Sequence, residues 1–326
     1  MLTQLITRKR VSVLAAIMAS ALSVSAQAKV DSIHFLVPGG AGGGWDSTAR
    51  GTGEVLKKSE LVDTISYENM SGGGGGKAIA YLIKTAEQST DTLMVNSTPI
   101  VIRSLSKVFP QSFRDLTPVA ATVGDYAAFV VSAKSKYTSF TDIVNDYKKD
   151  PSSITVAGGS ARGSMDHLVA ALAFKAGGGE PRRLKYLAYD AGGKAMAGLL
   201  SGETTLLSTG LSEALTLADA GEIRILAMTG DQRSPSAPEV PTLQELGYNA
   251  TFVNWRGFFA APGLSDEKAD EFAEVLGEMY NTDQWKTVRD RYGWTEIYKP
   301  RKEFVAFLSQ QEKEIGDLMR ELGFLK

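Results

Sequence analysis

The 326-residue chain carries 35 Lys and Arg against 37 Asp and Glu, a net charge of -2, 43% apolar residues and no cysteine. Near-balanced charge without a basic run speaks against nucleic acid as a partner, and the lack of cysteine excludes both a disulfide framework and a lipid-modified cysteine anchor. A chain of this size can bury its own core, and two domains are the expectation from length.

The N-terminus opens with a basic cluster, Arg8, Lys9 and Arg10, followed by the 14-residue apolar run 11–24 and then Ala26-Gln27-Ala28. That is the layout of a secretory signal peptide over 1–28, cleaved after Ala28. The run is too short for the roughly 20 residues of a membrane-spanning helix. Without those three cations the mature chain carries about -5. A periplasmic protein is expected.

Short β-branched or aromatic runs then recur at 33–37, 64–67, 92–95, 127–131, 154–157, 184–188 and 223–228. Helix-period segments separate them, the alternation of an α/β fold with parallel strands. Met165, Leu168, Val169 and Leu172 predict one one-sided amphipathic helix; Phe272, Val275, Leu276 and Met279 predict another. A last helix carries Phe304, Phe307, Leu308, Ile315, Leu318 and Met319 on one stripe. These stripes are core.

Glycine clusters at 39–44, 72–76, 158–163, 177–179 and 192–193, mostly where a strand gives way to a helix. In open α/β sheets ligands bind at that edge, where helix N-terminal N–H groups lack partners. The 177–179 cluster follows a helix and reads as a turn. No nucleotide motif fits: a phosphate loop ending at Lys77 would need Gly at Ser71 and a hydroxyl at Ala78, and a dinucleotide fingerprint from Gly40 meets Trp45 at its third glycine. Ser160 and Ser164 lack the G-x-S-x-G frame. The two histidines, His34 and His167, stand apart and read as structural, so no metal site and no cofactor are expected.

What remains is a set of donor-rich loops suited to an anion. The first contributes Gly42, Gly43, Gly44, Trp45 and Asp46, the second Asn96 and Ser97, the third Arg162, Gly163 and Ser164; Asp190 and Gly193 complete the candidate ligand set. Arg162 offers a planar fork for a carboxylate, with a surface charge as the plain alternative. Asp46 is either the N-cap of the first long helix or the acceptor of a ligand hydroxyl, and the second reading is preferred.

Seven segments in order, PGGAGGGWDSTAR from Pro38, ENMSGGGGGKAIAYL from Glu68, GGSARGSMDHLVAAL from Gly158, YDAGGKAMAGLLSGE from Tyr189, GEIRILAMTG from Gly221, EVPTLQELGY from Glu239 and NWRGFFAAPG from Asn254, resemble the solute-binding components of tripartite tricarboxylate transporters, the Bug proteins. The resemblance implies a two-lobe, type II periplasmic-binding-protein-like (Venus flytrap) fold with two crossing strands, placed near 122–125 and 229–232. Lobe one would comprise 29–123 with 232–326, and lobe two 124–231. It further implies a monomer that holds a small carboxylate mainly through backbone amides and waters and delivers it to membrane subunits of the transporter. Trp45-Asp46 and Asn254-Trp255-Arg256-Gly257 look like the tricarboxylate-binding branch, which points to citrate-like ligands or dicarboxylates. Two rivals are a ligand sensor feeding a signalling receptor and an exported α/β enzyme with Asp46 or Asp190 as base.

Overall fold

The computed structural model describes residues 29–326; the expected signal peptide and most of its cleavage site lie outside the described residues. The first half of the chain builds β1 (Val30–Val37), α1 (Gly44–Lys58), β2 (Val62–Asn69), α2 (Gly76–Lys84), β3 (Thr92–Ser97) and α3 (Thr98–Ser106). β1 pairs in parallel with β2 and β3, so the loops after all three strands gather at one edge.

The 16-residue β4 (Thr117–Ser132) then carries the chain into a second half-sheet. There follow α4 (Phe140–Lys149), β5 (Thr155–Gly158), α5 (Met165–Ala176), β6 (Lys185–Ala188), α6 (Gly192–Leu200), β7 (Leu206–Gly210), α7 (Leu211–Asp219) and β8 (Ile223–Met228). β5 pairs in parallel with β6 and β7, while β7 and β8 run antiparallel to β4. The chain closes with β9 (Val253–Ala260), α8 (Asp266–Tyr280), α9 (Asp283–Tyr292) and α10 (Arg301–Glu321). β9 inserts between β3 and β4, antiparallel to both, giving the order β2-β1-β3-β9-β4-β7-β5-β6, with β8 also against β4.

All seven expected strands are present, and two more were unread. β7, Leu-Leu-Ser-Thr-Gly, ends in residues typical of turns, yet it is buried throughout. β9 hides Asn254, Arg256 and Gly257 among apolar residues, which breaks any alternating pattern. The 122–125 crossing lies within β4. The return crossing is not at 229–232, because the chain stays with the second half: Met228 N–H donates to Pro241 O, Leu243 N–H to Met228 O, and Tyr248 Oη to Thr141 Oγ1. It re-enters beside its exit, where Phe252 N–H donates to Thr229 O, and β9 makes the crossing by pairing 253–256 with 123–126 of β4.

Packing follows the hydrophobic pattern. Phe272, Val275, Leu276 and Met279 of α8 join Phe35, Phe258 and Trp285 in a fully buried cluster on the first half. Phe304, Leu308, Ile315 and Met319 of α10 are buried, with Phe307 and Leu318 partly so, and the helix clamps onto α3 and β4. α5 departs from the one-sided expectation: polar Asp166 and His167 are buried along with its apolar residues, so it is enclosed nearly all round. Both histidines have structural partners. His34 Nδ1 lies 2.8 Å from Ser66 Oγ, and His167 stacks on Tyr186 at 4.5 Å.

Candidate ligand-binding site

The edge where strands end and helices begin encloses a cleft of about 390 Å³. Its walls come from the β1–α1 loop with Gly43, Gly44 and Trp45, from Ser71, Gly72 and Gly74, and from Ser97, Pro99 and Arg103 of the first half. Facing them are Gly159, Ser160, Ser164 and Asp166, then Tyr189 to Gly192, Gly210 and Glu213, with Asn254 and Arg256 of β9 also contributing.

Five helices start at this cleft without a side-chain cap from the N-cap residue: α1 after Gly43, α3 after Ser97, α5 after Ser164, α6 after Ala191 and α7 after Gly210. Elsewhere α4, α8 and α9 are capped by Ser139, Ser265 and Thr282. An uncapped N-terminus presents N–H donors and the positive end of the helix dipole to an anion, although at α1 Gly44 N–H already donates to Glu213 and at α5 Asp166 N–H donates to Ser160 Oγ. The side chains agree. Arg103 Nε, Ser164 Oγ and Asn254 Oδ1 are buried without a hydrogen-bond partner among the described residues, and all three residues line the cleft. Arg103 is only 6% exposed, and burial pushes its guanidinium down to about 10.

Part of the glycine run 72–76 closes over this arginine. Gly72 to Gly75 all have positive φ, and the loop wraps the guanidinium, which donates to Gly73 O. A Cβ at Gly74 would overlap the Arg103 side chain. Glycine is required there for close approach and for a left-handed backbone, not for phosphate.

Beneath the cleft floor runs an ionic network joining the two halves. Arg256 pairs with Asp125, both buried, and Asp125 also accepts from Ser212 N–H at 3.2 Å and Ser212 Oγ at 2.7 Å. Glu213 accepts from Gly44 N–H at 2.7 Å and from Thr209 Oγ1 at 2.5 Å, tying α7 to the start of α1. Burial raises the Glu213 carboxyl above the usual range. Asp166 is pushed up to about 7, by burial first and then by the Glu213 charge.

Of the residues expected from sequence, Gly43, Gly44, Trp45, Ser97, Ser164 and Asp190 line the cleft. Trp45 Nε1 donates to Ser97 Oγ at 2.9 Å, fixing the ring over the β3 end. Gly42, Asp46, Asn96, Arg162, Gly163 and Gly193 do not line it. Asp46 lies buried under the first loop: it accepts from Gly42 N–H at 2.9 Å, Arg50 Nε at 3.0 Å and Asn69 Nδ2 at 3.0 Å. It is neither the helix cap, which is Gly43, nor free for a ligand hydroxyl. Burial works against its charge, but these bonds outweigh it and lower its pKa. Asn96 spends Oδ1 on Ser97 N–H, Gly163 N–H donates to His167 Nδ1 at 3.1 Å, and Arg162 and Gly193 are exposed.

The sequence reading missed Arg103, Ser160, Asp166 and Glu213. One signal was available for Arg103: a lone charge inside the apolar run Pro99-Ile100-Val101-Ile102, two loops from an unexplained glycine run.

Residues 49–324 match the model of the tripartite tricarboxylate transporter family receptor. This chain belongs to that family. The family is one of binding receptors, not enzymes, so the reading with Asp46 or Asp190 as a catalytic base falls away. The receptor is 28% identical to Protein BugT of Bordetella pertussis, over 89% of each chain. It is 26% identical to a UPF0065 protein of Bordetella bronchiseptica, covering 88% of this chain and 84% of that one. Among solved structures it resembles the periplasmic binding protein BugD, with a TM-score of 0.81 at 19% identity over 90% and 98% of the two chains. MatC from Rhodopseudomonas palustris, solved with bound malate, gives 0.78 at 18% over 88% and 98%. These likenesses establish the α/β periplasmic-binding-protein fold.

Proposed function

We propose that this receptor works in the periplasm, where it captures one small carboxylate, a citrate-like tricarboxylate or a dicarboxylate, and presents it to the membrane subunits of a tripartite tricarboxylate transporter. The observation that carries this reading is Arg103, a buried cation lining the cleft with no carboxylate partner among the described residues. A buried, unpaired charge is costly unless a ligand completes it. Ser164 Oγ and Asn254 Oδ1, equally unpartnered among the described residues, and the uncapped starts of α3 and α6 supply the remaining polar complement. The MatC structure holds malate and a second R. palustris structure of the same fold holds adipate, which supports the carboxylate class. The basic, apolar and small-residue order of the N-terminal segment supports export.

Capture is physical: one wall's amides and Arg103 take the anion, and approach of the other wall excludes water around it, shifting a population without turnover. The cleft, near the small end of the ~300–1,000 Å³ range for ligand sites, suits a compact acid. Titration calorimetry of mature protein with citrate, malate, succinate and adipate tests the reading. Saturable 1:1 binding without product is expected, with Arg103→Met weakening it by roughly 2–5 kcal/mol. Affinity unchanged in Arg103→Met, or turnover of the acid, overturns it.

A further inference from the structure

The charged side chains lining the cleft are Arg103, Arg256, Asp166, Asp190 and Glu213. Three are already committed. Arg256 is neutralised by Asp125 below it, Glu213 gives its two oxygens to Gly44 N–H and Thr209 Oγ1, and Asp190 sits exposed 3.7 Å from Lys194. What faces a ligand is one cation, Arg103 on α3, and one buried carboxylate, Asp166 on the first turn of α5. The two helices are in contact.

Asp166 is held in place. Hydrogen bonds from the Ser160 hydroxyl and from the Ser160 and Gly159 N–H groups favour its charged form, and its own N–H donates to Ser160 Oγ at 3.0 Å. The consequence for binding is direct, because the β5–α5 loop offers its amides to Asp166 and not to a ligand carboxylate. A ligand's carboxylate belongs on the Arg103 side, and above about pH 7, where Asp166 is ionised, a second one pushed towards α5 meets its charge. A hydroxyl or ammonium on the ligand meets an acceptor there instead.

From this arrangement we infer that Asp166 is a specificity-determining residue, accepting a hydrogen bond from a hydroxyl or ammonium group of the ligand. The receptor then takes hydroxy or amino carboxylates in preference to their plain analogues. This rests on the carboxylate-receptor reading and narrows it. It also moves to Asp166 the part that the sequence offered to Asp46, whose oxygens are fully occupied. The discrimination arises because a ligand without the donor leaves one acceptor position of a desolvated carboxylate unfilled.

Matched pairs decide the matter: malate against succinate, aspartate against succinate, and citrate against tricarballylate, titrated calorimetrically into wild type, Asp166→Asn and Asp166→Ala. Wild type is expected to favour the donor-bearing member of at least one pair by tenfold or more. Asp166→Ala should bring that ratio within twofold. Asp166→Asn keeps a neutral acceptor, so it should retain a hydroxyl preference and lose an ammonium preference, which tells the two donors apart. Circular dichroism checks the fold of each variant, and if Asp166→Ala fails to fold, the wild-type and Asp166→Asn ratios decide alone. Equal affinity within every pair in wild type, or a preference that survives Asp166→Ala, overturns the inference while leaving the receptor reading intact. No binding by any of the five acids overturns both.

Discussion

Arg256 on β9 and Asp125 on β4 form an ion pair, buried on both sides, at the place where the two crossing strands run side by side. Arg256 reaches on to Thr48 Oγ1 of α1 at 3.3 Å, and Asp125 to Ser212 of α7, so the pair links both walls of the cleft. Breaking one side strands the other charge away from water. Asp125→Ala is expected to cost roughly 3–5 kcal/mol in chemical denaturation, while the double variant Asp125→Ala with Arg256→Met recovers much of that. Equal losses in the single and double variants would show that the pair is not the source.

Asp166 and His167 are neighbours with opposed proton linkage. Asp166, pushed up to about 7 by burial and Glu213, keeps its proton in the fold where the unfolded chain has lost it, so it lowers stability as pH rises from about 4 to about 7. His167, pushed down to about 4 by burial and then by Arg162, stays neutral where the unfolded chain is protonated, so it lowers stability as pH falls from about 6.5 to about 4. Between about 4 and 6.5 the two slopes, each about 1.4 kcal/mol per pH unit, cancel. Relative to wild type without ligand, Asp166→Asn should gain stability as pH rises through that window and His167→Gln should lose it. Denaturation midpoints at pH 4.5, 5.5 and 6.5 give the two slopes, and parallel curves for both variants would refute the assignment.

Gly74→Ala should act on Arg103 from a distance. The left-handed backbone alone costs about 1–2 kcal/mol, and the added methyl displaces the guanidinium that the loop encloses. Ligand affinity is expected to fall along with the melting temperature. Gly193→Ala, at an exposed helix position with nothing near its Cβ, should leave both unchanged.

Asp46→Ala leaves Gly42 N–H, Arg50 and Asn69 without their shared acceptor; because these three residues are exposed and water can replace the lost bonds, the expected cost is about 0.5–1.5 kcal/mol. Because Asp46 lies under the loop, affinities for citrate and tricarballylate should weaken alike, with their ratio at the wild-type value. Arg162→Ala should change neither affinity by more than twofold. A changed ratio, or a large effect at Arg162, would return either residue to the ligand.

The sequence exposed the architecture because strand runs and glycine loops are local signals. The α/β alternation, the binding edge and Trp45 with Ser97 all came from them. Arg103 and Asp166 were out of reach for a physical reason: what makes them candidates is which other groups are already spent. That Gly44 answers Glu213, 169 positions away, or that Asp46 is saturated by Arg50 and Asn69, cannot be read from spacing. Arg162 attracted attention through its glycine neighbours, yet those glycines let the loop turn towards His167 and leave the arginine outside.

β9 separates β3 from β4 in the finished sheet, although almost 120 residues follow β4 before β9 is reached. The first half therefore cannot zip up its own sheet as it emerges. Residues 30–106 wait with one edge of β3 unpaired, whereas β5, β6 and β7 find their neighbours within some fifty residues. Non-local pairing of this kind slows folding and prolongs the time for which a strand edge is bare. The second half is set to fold first and the arrival of β9 to be the closing step.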